Sequence, residues 1–126
     1  MAAALADVLS RYPALELAFV FGSVARGTAS CDSDLDIAVQ ARTPLDAATR
    51  IRLIEDLAES SGRAIDLIDL RQTGEPLRGE VLRHGRRILG SDAALAELMS
   101  RRVHDMEDFV PYVQRMLQER NRAWTR

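Results

Sequence analysis

The chain contains no lysine; all 17 of its Lys/Arg-type basic residues are arginine. That excludes a Walker-type phosphate loop, a Schiff-base lysine and a lysine general base. Cys31 is the only cysteine, so no internal disulfide can form. With only two histidines, His84 and His104, a structural zinc site lacks ligands. No apolar run approaches the ~20 residues that cross a bilayer. The first nine residues lack the basic start and long apolar core of a signal peptide, so the expected location is cytoplasmic, without membrane contact. Charge of one sign is also missing: the net charge is −2, which argues against bulk attraction to a polyanion. Aromatics are only 5% of residues and the arginines of the second half are scattered, so no stacking platform for direct nucleic-acid binding is expected.

What is present reads as one globular domain, with 47% apolar and 29% charged residues over 126 positions. Ala2 to Ser10 has helix formers with Leu5, Val8 and Leu9 on one stripe, ended by Pro13. Leu17 to Phe21 is a short apolar run ending at Gly22 and reads as a buried strand. Asp34 to Gln40 alternates, placing Leu35, Ile37 and Val39 on one face and Asp34, Asp36, Ala38 and Gln40 on the other. Thr43-Pro44 reads as a helix start, with Ala47, Ile51, Ile54 and Ala58 lining a face up to a stop at Gly62. Ala64 to Leu70 is a third strand. Pro76 opens a helix that runs to His84 and stops at Gly85. Arg86 to Leu89 adds a short fourth strand. From Ser91 the pattern is helical almost to the end, with Pro111 kinking it. The expected architecture is α+β, a small mixed sheet flanked by helices. Residues 1–90 are expected to form the domain, and residues 91–126 a long C-terminal helical extension of it.

The chemistry concentrates between Phe19 and Val39. A strand delivers Gly22-Ser23 at its end, where glycine permits close backbone approach and the following amides, with the Ser23 hydroxyl, can cradle a phosphate. Arg26 follows one turn on and can neutralise a phosphate. Asp34 and Asp36 project from one strand face, roughly 7 Å apart. Carboxylates at that spacing can converge on two hard divalent cations of the kind that clamp a phosphoryl displacement. Asp66 can add a third carboxylate if its strand lies beside the second. Asp32-x-Asp34-x-Asp36 also looks like the start of a calcium loop, but Ile37 stands where glycine is needed and Thr43 where a bidentate glutamate is needed.

Taken together, Phe-Gly-Ser-x-Ala-Arg-Gly, then Asp34-x-Asp36 and an apolar-flanked Asp66, resemble the polymerase-β-like nucleotidyltransferases, and more narrowly the minimal nucleotidyltransferases. The resemblance implies that fold, a phosphate-binding pair in Gly22 and Ser23, and a metal-binding, catalytic set in Asp34, Asp36 and Asp66. Asp69 is the rival for the third place, but its parity sets it on the opposite strand face. The stretches DLRQ, PLRGEVLRHGRRIL and MEDFVPYVQRMLQER look like the MntA-type antitoxins of toxin–antitoxin pairs. That likeness implies transfer of AMP from ATP, with two Mg²⁺ ions, to a tyrosine of a HEPN ribonuclease toxin. The apolar stripe from Leu95 to Leu117 is longer than a small sheet covers, so Ser91 to Val103 is expected to fold back as core and Asp108 to Trp124 to contact a partner, with Tyr112, Met116 and Trp124 as the candidate anchors. Two alternatives remain open at this point: a transferase acting on a small molecule such as an antibiotic, and an antitoxin that neutralises its partner by steric cover alone.

Overall fold

The computed structural model describes residues 1–22, 27 and 33–103, with the backbone alone for 101–103. Four strands, β1 (Leu15–Phe21), β2 (Leu35–Ala41), β3 (Ile65–Asp69) and β4 (Arg86–Leu89), form one mixed sheet in the order β3-β2-β1-β4. β1 runs antiparallel to both β2 and β4, whereas β2 and β3 are parallel. The expected architecture of a small mixed sheet with flanking helices is present.

Helices cover both faces of the sheet. On one face, α1 (Ala2–Ser10) and α2 (Ala47–Ser61) bury Leu5, Val8, Leu9, Leu53 and Leu57 against Ala18, Val20, Leu35, Ile37, Val39, Leu67 and Ile88. On the other, α3 (Leu77–His84) and α4 (Asp92–Val103) bury Val81, Leu82, Leu95, Leu98 and Met99 against Leu17, Phe19, Ala38 and Leu70. Period-2 alternation in β2 thus feeds two separate cores, and the central strands are buried on both sides. The start of α4 belongs to this packed body; the expected kink at Pro111 and the anchors Tyr112, Met116 and Trp124 lie outside the described residues.

Two details of α2 differ from the sequence expectation. Its cap is Asp46, whose side chain accepts from Thr49 N at 2.7 Å, and not Thr43. These bonds hold the Asp46 carboxyl below its ordinary range. Its buried stripe is Leu53 and Leu57, while Ile51 is 56% exposed. Two leucines four residues apart offer more apolar area than the Ala47–Ile51 side, and the helix rotates to bury them. Gly62 ends the helix in the left-handed conformation, as expected.

α1 is tied to α2 by Tyr12, whose hydroxyl donates to Asp56 Oδ2 at 2.5 Å. Burial first, and then the bond to Asp56, push the phenol up from 10.0 to about 12. The folded pKa lies above the unfolded one, so the neutral phenol's contribution is complete below pH 10 and is lost as pH rises through 12. Tyr12→Phe is expected to cost about 1 kcal/mol at neutral pH. It should also remove the part of the alkaline stability decline that falls in that window, which denaturant melts at several pH values would read.

Candidate active site

β1 and β2 place the glycine bend against the carboxylates. Phe21 pairs with Asp36 across the antiparallel ladder, so Gly22 leaves the sheet directly beside that aspartate. Gly22 has φ +71°, a conformation that side-chain-bearing residues avoid. A Cβ there would stand 3.0 Å from Asp36 Cγ and nearer still to Oδ2. Glycine is therefore required twice over, by its torsion and by the approach of a carboxylate.

The parallel pairing of β2 with β3 sets Asp36 in register with Asp66, and Leu35 with Ile65. In-register residues on adjacent strands share a face and lie about 4.8 Å apart along the hydrogen-bonding direction. Asp34 falls two residues before Asp36, on the same side by parity. It is exposed, as is Asp66, whereas Asp36 is half-buried. This is the face covered farther along by α3 and α4, so the carboxylates sit where that cover ends.

The entry to β2 is pinned to the entry of β3. Leu35 N donates to Ala64 O at 2.8 Å, and Arg63 Nη1 donates to Ser33 O at 3.0 Å. These bonds hold the Asp34 end of the loop beside β3 and keep the Asp36–Asp66 register. No residue pattern announced the role of Arg63, since a lone arginine before a strand carries no signal of its own.

Asp69, the rival third carboxylate, is buried and structural. Its Oδ2 accepts from Leu45 N at 2.9 Å and its Oδ1 from Arg71 N at 3.0 Å. It pairs in register with Val39, on the side of the α1–α2 core, so parity separates it from Asp66.

The sheet thus brings Asp36 and Asp66 side by side, with Asp34 adjacent and Gly22 opposite. It does not gather a ready-made cage: among the described residues, no three His, Cys, Asp or Glu side chains form a group able to hold a metal ion. Neighbouring like charges repel, which favours an open arrangement of the carboxylates. Their chemistry still suits a hard divalent cation, since all are oxygen donors and a cation offsets their repulsion. Ser23, Arg26, Cys31 and Asp32 lie outside the described residues. Among those described, no helix is long and apolar enough to cross a membrane.

Residues 3–94 match the family described as Polymerase beta, Nucleotidyltransferase. A curated relative, the protein adenylyltransferase MntA of Shewanella oneidensis, is 38% identical over 79 residues, which cover 63% of this chain. The chain spans 57% of the length of that relative. A crystal structure of a toxin–antitoxin with AMP-PNP superposes with a TM-score of 0.69 at 27% identity, covering 92% of this chain and 98% of the matched one. A crystal structure of the MntA–HepT toxin–antitoxin superposes with a TM-score of 0.63 at 25% identity, covering 90% of each chain.

Proposed function

We infer the activity from one premise: the chain belongs to the polymerase beta nucleotidyltransferase family. We propose that it is the antitoxin of a toxin–antitoxin pair, transferring AMP from ATP to a tyrosine hydroxyl of a HEPN ribonuclease toxin and so neutralising it. The reading is supported by the in-register pairing of Asp36 with Asp66 beside the Gly22 bend. It is further supported by likeness to a protein adenylyltransferase and to a toxin–antitoxin crystallised with an ATP analogue.

Nucleotidyl transfer asks a protein for alignment and charge neutralisation more than for covalent chemistry. Asp34, Asp36 and Asp66 would hold Mg²⁺, which when bound supplies charge to offset the phosphates and the developing oxyanion. Gly22 keeps the backbone clear of the Asp36 carboxylate, and Ser23 and Arg26 take the phosphate tail of ATP. Asp66 accepts the proton of the attacking hydroxyl. The tyrosine oxygen bonds to the α-phosphorus, the bond from that phosphorus to the bridging oxygen breaks, and pyrophosphate leaves with the electron pair. Residues 1–90 carry this chemistry. The extension 91–126 presents Tyr112, Met116 and Trp124 to the toxin.

Incubation with α-labelled ATP, Mg²⁺ and a HEPN toxin tests the reading. Label is expected on the toxin, on tyrosine by mass spectrometry, and chelation should remove it. Deleting residues 111–126 should weaken toxin binding and transfer together. Neutralisation without any label on the toxin would overturn the transfer mechanism and leave steric cover.

A further inference from the structure

The far end of the same β2 face carries a polar pocket that nucleotidyl transfer does not use. Gln40 lies four residues beyond Asp36, about 13 Å along the strand. It is 3% exposed. It lines a pocket of about 210 Å³ together with Pro44, Leu70, Arg71, Arg78 and Leu98. Two arginines and a glutamine thus line one small space, and no carboxylate lines it among the described residues.

Both arginines are held in place by other bonds. Arg78 Nη2 donates to Leu70 O at 3.0 Å and to Thr73 O at 2.7 Å, while its Nε is buried without an acceptor among the described residues. Arg71 donates from Nε to Ala41 O at 2.5 Å and from Nη2 to Glu16 Oε1 at 3.1 Å, which leaves Nη1. A buried donor without an acceptor costs ~1–3 kcal/mol, and among the described residues of this pocket Arg78 Nε stands in that condition. Pre-positioned guanidinium N–H groups match the oxygens of a carboxylate or phosphate. The volume is below the ~300 Å³ at which drug-sized ligand sites begin, so a nucleotide does not fit whereas a single compact anion does.

We propose that Gln40, Arg71 and Arg78 form a binding site for a compact oxyanion, a phosphate or a small carboxylate, separate from the nucleotide site. Its neutral amide supplies one further donor, and the apolar walls of Leu70, Leu98 and Pro44 limit the size of the occupant.

Thermal melts of the full chain in inorganic phosphate or acetate, against chloride at matched ionic strength, test this. Saturable stabilisation is expected, about 4 °C at tenfold the dissociation constant. Phosphate and acetate arms show which anion is preferred. Gln40→Leu should keep the fold and lose most of the effect, while Asp36→Asn should retain it. No saturable effect in the wild type would overturn the proposal. So would an effect unchanged in Gln40→Leu, or one abolished in Asp36→Asn, which would put the anion at the nucleotide site. Crystals of the wild type soaked in selenate give a readout independent of any variant: anomalous density between Gln40 and Arg78 is expected, and its absence at saturating selenate counts against the site.

Discussion

Asp36→Asn, and separately Asp34→Asn, will lower AMP transfer to the toxin by about 10³-fold or more. Asparagine keeps the shape of the side chain and removes one negative charge and one strong cation ligand. Several kcal/mol of transition-state stabilisation depend on such ligands, and each ~1.4 kcal/mol is tenfold in rate. Asp36 is the more telling position, because it stands between Gly22 on one side and Asp66 on the other. Stability should stay within ~1 kcal/mol of the parent for exposed Asp34, as surface changes of charge usually do, and the isosteric change at half-buried Asp36 should cost no more than about 2 kcal/mol. Single-turnover transfer and thermal melts on the same preparations check both halves of this expectation. Full transfer by either variant would remove the carboxylates from the mechanism.

Gly22→Ala should damage fold and activity together, and the size of the damage can be apportioned. Forcing a side-chain residue into the left-handed region costs ~1–2 kcal/mol. The overlap with the Asp36 carboxylate adds ~1–3 kcal/mol, the usual cost of overpacking. The sum is roughly 2–5 kcal/mol, a fall in Tm of about 8–20 °C at ~4 °C per kcal/mol. Gly62→Ala is the internal control. Gly62 has φ +70° and nothing within 4 Å of an added Cβ, so it bears the torsional cost alone. The excess loss in Gly22→Ala over Gly62→Ala measures the contact with Asp36. Transfer should collapse only in Gly22→Ala, since displacing that carboxylate disturbs the whole group. Equal stabilities in the two variants, with transfer intact, would mean that Gly22 and Asp36 do not meet.

Much of this geometry could be read from residue order. Alternation through β2 put Asp36 on one face, parity in β3 separated Asp66 from Asp69, and the four-residue strand β4 was visible between Gly85 and Gly90. The in-register alignment of Asp36 with Asp66 was not readable, because it depends on bonds between the two strand entries made by Leu35, Ala64 and Arg63. The start of α2 misled for a similar reason. Thr43-Pro44 has the local chemistry of a helix cap, yet Leu45 N is taken by the Asp69 carboxylate 24 positions away. That long-range bond keeps the segment out of the helix until Asp46, where a side chain can cap. The buried stripe of α2 was equally a matter of tertiary choice, since the Ile51 and Leu53 sides both have helical periodicity and only one faces the sheet.

Among the described residues, β3 is an outermost strand of the sheet, with β2 as its only neighbour. Its outer rim is blunted by Arg50, whose guanidinium donates to Leu67 O and occupies a carbonyl that another chain's strand would otherwise seek. Asp66 thus lies at a border guarded against fusion with a second sheet yet open to side-chain approach. For the proposed substrate, a folded protein, that matters more than pocket depth: a hydroxyl carried on a protruding loop can reach the proposed proton acceptor sideways, with no need to thread a channel.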